Sequence, residues 1–170
     1  TIGAYLKRND PRDGIVLKSG KSFDSENLTI GSSSKRRELQ FKSHFKNIIC
    51  KNIRGNIDSR ISKVKRGEYD GTILALAGIQ TLKLNHEVKK IFSEDKIIPC
   101  AGQGVVAVQC RKNDFDNLKI LKKINDEDTK ICAITERSLL KTIGGDCHTA
   151  LGAYAKIDKN NIIIIAQLFS

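Results

Sequence analysis

Between residues 27 and 98 the sequence alternates short β-rich runs with amphipathic stretches, and this narrows the fold more than any other feature. "NLTIGSS" (27–33) has the composition of a buried strand and leads into "SKRRELQFKSHF" (34–45), where Leu39, Phe41 and Phe45 suit a helix. "NIICKNI" (47–53) predicts the next strand, and "NIDSRISKVKRG" (56–67) a helix with Ile57, Ile61 and Val64 on one face and Gly67 as its stop. "DGTILALAGI" (70–79) is apolar throughout, as in a strand covered on both faces, and "NHEVKKIF" (85–92) is spaced as a helix. Strands alternating with helices predict an α/β lobe with a mainly parallel sheet.

The pattern breaks at "IIPCAGQG" (97–104). A strand follows at 105–111, then helical stretches at 115–124 and 127–143. "ALGAYAKI" and "IIIIAQLF" read as a hairpin turning at residues 158–161. The second half is therefore expected to be α+β.

The formal net charge of +11 calls for an anionic partner. Nucleic acid is disfavoured: aromatic residues make up 5%, tryptophan is absent, and stacking platforms are therefore few. The most apolar run, 162–169, is too short to span a bilayer, so no membrane partner is expected. Five irregularly spaced cysteines suit reduced thiols in the cytoplasm, and with no CxxC pair no metal site is expected. A chain that starts at Thr1 and lacks methionine reads as a processed product or a piece of a longer protein.

Four arginines stand apart from the lysine background. Arg36 and Arg37 follow "GSSS" at a strand-to-helix corner, Arg54 precedes Gly55 at the end of the next strand, and Arg60 opens the next helix. Ligands of open α/β sheets bind beyond the carboxyl ends of the strands, where helix N-termini present free N–H groups. A planar guanidinium matches a carboxylate with two parallel hydrogen bonds. This corner is expected to bind a ligand with several carboxylates or phosphates.

"RGNIDSRISKVKRGEYDGTILALAGI" (54–79), "IIPCAGQGVVAVQCR" (97–111) and "TERSLLKTIGGDCHTALGAYA" (135–155) closely resemble the porphobilinogen deaminases, as do "NDPRD" (9–13) and "GSSSKRR" (31–37). The resemblance implies a transferase of haem biosynthesis, expected to be monomeric, that joins four porphobilinogen molecules into hydroxymethylbilane with release of ammonia. The primer is a dipyrromethane cofactor held by a thioether, here to Cys147; Cys50, Cys100, Cys110 and Cys132 are expected to be inert. Ser34, Arg36, Arg37, Arg54 and Arg60 would hold carboxylates of the cofactor and the growing chain, with Gly55 and Gln103 at the cleft or hinge. Thr81 and Asp146 stand where the family usually has arginine and glycine, and His148 follows the cysteine with a structural role expected.

The resemblance further implies a lobe of the type II solute-binding-protein kind followed by part of a small α+β domain. Residues 1–9 would be a hinge strand and 10–98 the α/β lobe. Residues 99–122 would return to an N-terminal domain that is separate or deleted and carries the catalytic aspartate, and 123–170 would begin the cofactor-carrying domain. No residue here replaces that aspartate; Asp13, Asp58 and Asp70 lie in motifs without a catalytic role. The chain alone is expected to be inactive. A non-catalytic polycarboxylate-binding lobe is the alternative reading.

Overall fold

In the computed structural model, residues 1–146 and 149–169 are described. A five-stranded sheet organises the first hundred residues in the order β4-β3-β5-β2-β6. These strands are β2 (Asp13–Leu17), β3 (Leu28–Gly31), β4 (Ile48–Lys51), β5 (Gly71–Ala75) and β6 (Val88–Ile91). The strand period of two sorts their side chains into two cores. Ile15, Ile30 and Ile73 pack with Phe41 and Phe92 on one face; Val16 and Leu74 pack with Ile61 and Ile79 on the other. Helix α1 (Lys35–His44) supplies Phe41, α2 (Ile57–Lys65) supplies Ile61, and α3 (Leu76–Thr81) supplies Ile79.

The lobe is α/β, but its sheet is mixed. β3 runs parallel to β4 and β5, whereas β2 runs antiparallel to β5 and β6. The expectation of a mainly parallel sheet is corrected by β2, a five-residue strand buried along its whole length that pattern reading passed over. The apolar run 70–79 is also divided. Its strand ends at Ala75 and α3 begins at Leu76, because a continuous apolar run carries no period by which to tell strand from helix. Nor is 85–92 an α-helix: one 3₁₀ turn (Asn85–Glu87) precedes β6, which adds to the open edge of β2 with Val16 opposite Val88. Phe92, buried at the end of β6, closes the register by donating its N–H to Asp13 O at 3.0 Å.

Two hinge segments leave the lobe side by side. β1 (Ile2–Tyr5) pairs antiparallel with β7 (Ala107–Gln109), and Asn9 N donates to Gly104 O at 2.8 Å. Gly104 has φ +80°, and a Cβ there would lie 2.6 Å from Asn9 O, so only glycine allows the strands to cross this closely. Beyond the hinge come α4 (Phe115–Leu121) and α5 (Glu127–Thr142). Asp126 caps α5 by accepting from Thr129 N at 2.8 Å, with Glu127 and Asp128 in the first turn. The hairpin β8 (Leu151–Asp158) and β9 (Asn161–Leu168) packs on α5 through β8, whose residues 151–153 and 155 are buried. Among the described residues, no helix is long and apolar enough to cross a membrane.

Candidate functional site

The centre of the site is a carboxylate buried under the arginine corner. Asp13, fully buried, accepts from Arg36 Nη2 at 2.9 Å on Oδ2, and from Arg37 Nη2 at 2.8 Å on Oδ1. Gln103 Nε2 donates to the same Oδ1 at 2.9 Å and to Pro11 O. Burial alone would raise the Asp13 carboxyl, but the charges and hydrogen bonds of Arg37 and Arg36 outweigh it and hold it below the usual carboxylate range. Two guanidinium charges therefore face one carboxylate, leaving a positive excess.

The corner is built by α1. Ser34 is its N-cap, accepting from Arg37 N at 3.4 Å, and Ser32 and Ser33 precede it. Arg36 points inward: it is 3% exposed and also donates to Ile98 O at 2.6 Å. Gln103, expected at the cleft or hinge, is buried inside the network at the hinge. Among the described residues, the Nε atoms of Arg36 and Arg37 are buried without a partner.

Three neighbouring cavities surround the corner. The largest, about 780 Å³, lies beyond the carboxyl end of β5. Arg37, Arg60 and Gly55 line its cationic side, and Ile57, Leu74 and Leu84 its apolar side. Gly55 has φ +118°, opening the turn at which Arg60 Nε donates to Gly55 O at 2.7 Å. Burial, and then the nearby charge of Arg37, pull the Arg60 pKa down. A second cavity of about 420 Å³ is lined by Ser34, Arg54, Cys50 and Lys51. A third, about 500 Å³, takes Ser34 and Arg36 from the lobe, Cys100 from the hinge, and Arg137, Asp146 and Thr149 from the last segment. The arginines nominated from sequence are thus gathered at one sheet end but shared among adjoining cavities: Arg37 and Arg60 in one, Arg54 in the next, Arg36 in the third. Thr81 is exposed, and its hydroxyl donates to Ala77 O.

A second buried carboxylate fixes the last segment to the hinge. Glu136 of α5, fully buried, pairs with Arg8 at 2.6 Å and accepts from Gly102 N and Ala155 N, each at 2.7 Å. Pattern reading missed both carboxylates. The available signal was a charged residue opening an all-apolar strand (Asp13) or on a helix face among buried residues (Glu136), because burial of a charge demands a partner. Burial pushes the Cys50 and Cys132 thiols up, keeping them protonated. Cys147 and His148 lie outside the described residues; the chain is described up to Asp146 and again from Thr149.

Fold and site together define an α/β lobe that gathers guanidinium groups at one sheet end, joined through a two-strand hinge to a helix and hairpin. Two family models match the chain: "porphobilinogen deaminase, dipyromethane cofactor binding domain" over residues 1–119, and the porphobilinogen deaminase C-terminal domain over 130–170. The chain belongs to the porphobilinogen deaminase family. It is 42% identical to porphobilinogen deaminase of Caldicellulosiruptor saccharolyticus, with 99% of this chain and 59% of the relative covered. It is 35% identical to the enzyme of Coxiella burnetii, covering 98% of the chain and 54% of the relative. The chain thus spans between half and three-fifths of the length of these relatives. Among solved structures, an arginine-specific periplasmic binding protein of Salmonella typhimurium aligns with 82% of this chain and 63% of its own, at 15% identity and a TM-score of 0.45.

The described residues fit the family's dipyrromethane group. Its flat rings suit the apolar side of the largest cavity, and its acetates and propionates suit Arg37 and Arg60 opposite.

Proposed function

We propose that this chain is the cofactor-carrying and carboxylate-binding portion of a hydroxymethylbilane synthase, which joins four porphobilinogen molecules head to tail with release of ammonia. The observation that carries the reading is the largest cavity, with two guanidinium groups facing an apolar wall at the sheet end. A pyrrole bearing an acetate and a propionate has the same two-sided character.

When bound, the dipyrromethane supplies the ring carbon from which the chain grows. The residues here bind and orient. Arg37 and Arg60 pair with carboxylates of the rings in the largest cavity, while Arg54 and Ser34 serve the adjoining cavity, where Ser34 also caps α1. Asp13 neutralises one of the two charges it touches and keeps both side chains in place. Gathering several carboxylates in one cleft is repulsive, and a cationic lining offsets that repulsion. The bond changes of each condensation are loss of ammonia from the aminomethyl carbon, attack on that carbon by the free ring carbon, and loss of the ring proton. The resemblance assigns the carboxylate that assists them to a further domain, so the 170 residues alone bind without turnover. The thiol tether falls to Cys147, and the compartment is the reducing cytoplasm. The acting protein is a monomer whose partners are porphobilinogen and the growing polypyrrole.

Intact-mass measurement and peptide mapping of the protein purified from a haem-making host test this reading. Two pyrrole units are expected on Cys147 and on no other cysteine, and Cys147→Ser should remove them. An adduct on Cys100 or Cys132 would overturn the assignment.

A further inference from the structure

The largest cavity holds one charge of the wrong sign for a simple anion site. Asp58, in the first turn of α2, lines it together with Arg37 and Arg60, and among the described residues it is the one acidic group on the wall. A carboxylate there repels the same groups that the two guanidiniums attract. It is not half of an ion pair: among the described residues Asp58 has no salt bridge and no side-chain hydrogen bond. The helix positions that could neutralise it, three and four residues on, hold Ile61 and Ser62, and Arg60, two residues on, points to a different side. Arg37 is engaged with Asp13 at 2.8 Å, and Arg60 donates through Nε to Gly55 O at 2.7 Å. Beside the apolar Leu74 and Leu84, the cavity therefore presents two cations and one carboxylate that do not neutralise one another.

A ligand that carries both signs suits this wall. Porphobilinogen has an acetate and a propionate, and also an aminomethyl group that is protonated at neutral pH, as alkylamines are. We propose that Asp58 accepts the aminomethyl ammonium of porphobilinogen while Arg37 and Arg60 take its carboxylates. The proposal rests on the functional reading above and deepens it, because the nitrogen leaves as ammonia when each unit joins. An ammonium acceptor therefore tells an incoming monomer from a ring already in the chain, which two arginines and an apolar wall cannot do. The role is one of binding and selection, and no proton transfer is assigned to Asp58.

The test uses the 170-residue chain with Cys147→Ser as parent, so that no adduct forms, and titration calorimetry at low salt. Two probes are compared: porphobilinogen, and the same pyrrole diacid with a methyl in place of the aminomethyl group. The parent should bind porphobilinogen more tightly. Asp58→Asn should weaken porphobilinogen binding roughly tenfold, in keeping with loss of one charge-assisted hydrogen bond, and should not weaken the methyl analogue. Asp58→Glu should keep most of the preference. Asp116→Asn removes the same charge from the first turn of α4 and should alter neither affinity. Arg60→Ala should weaken both probes. Loss of the preference is a readout that a carboxylate serving only the α2 dipole would not move. If the parent shows no preference, or Asp58→Asn changes both probes equally or neither, while Arg60→Ala weakens both, the Asp58 assignment falls and the functional reading stands. If the parent binds neither probe, or Arg60→Ala changes neither, both fall.

Discussion

Asp13 shows how little of a residue's role lies in its own type. In "NDPRD" it is one acidic residue among several, and the motif reading set it aside as non-catalytic. In the folded chain its two oxygens hold Arg36, Arg37 and Gln103, tying together two arginines that line different cavities. Sequence places the four arginines at the strand-to-helix corners but could not apportion them, because that depends on a partner more than twenty residues away. Asp13→Asn removes one charge from a buried pair and is expected to destabilise the chain by about 3–5 kcal/mol, measured by urea unfolding at pH 7. The effect should depend on pH. The folded-state pKa of Asp13 lies below its unfolded value, so its contribution is complete above about pH 4 and disappears as pH falls through the folded value. The gap between parent and variant should therefore narrow in acid; a gap constant from pH 7 to pH 2 would count against the assignment.

At the scale of elements, α1, α2, α4, α5 and the terminal hairpin were legible, whereas α3 and the two strands at one side of the sheet, β2 and β6, were not. α1, α2 and α5 each carry a local signal: Ser34 or Asp126 as cap, a periodic apolar face, or Gly67 as stop. β6 has no such signal. Val88, Ile91 and Phe92 fit a helical face as well as a strand, and only the open edge of β2 decides between them. Whether Gln103 faces the cleft or closes the hinge was left open for a similar reason, since the hinge crossing that buries it joins residues ninety apart. The same hinge explains how the last segment is placed. Arg8 of the first hinge strand, Gly102 of the second, and Ala155 of β8 all converge on Glu136 of α5. Glu136→Ala leaves the largely covered Arg8 without its carboxylate and two N–H groups without an acceptor, a cost of about 3–5 kcal/mol. Hydrogen exchange should show the loss concentrated in α5 and β8, with the five-stranded sheet still protected. Uniform loss of protection would mean that the hinge and the lobe unfold as one unit.

The whole molecule carries a charge of +11, but the cavities around Asp13 use only a few of those cations. Several of the remaining lysines and arginines sit in exposed pairs, such as Lys42 with Glu38 and Arg66 with Glu68, each of which adds little stability. Net charge suggests the sign of a ligand, whereas in the proposed reading recognition falls to Arg37 and Arg60, which line one cavity with Ile57, Leu74 and Leu84. These two contributions respond differently to salt. Long-range attraction from the surface is screened as the Debye length contracts from about 30 Å at 0.01 M to about 8 Å at 0.15 M, while contacts in a cavity are screened less. Affinity for the dipyrromethane tetra-acid is expected to fall by roughly an order of magnitude across that range and then level off. Arg60→Ala should lower the level at high salt. Neutralising a surface pair member, as in Lys42→Gln, should change only the low-salt end. Binding that continues to fall toward zero in molar salt, equally for parent and Arg60→Ala, would mean that the surface field alone holds the ligand and that the cavity does not recognise it.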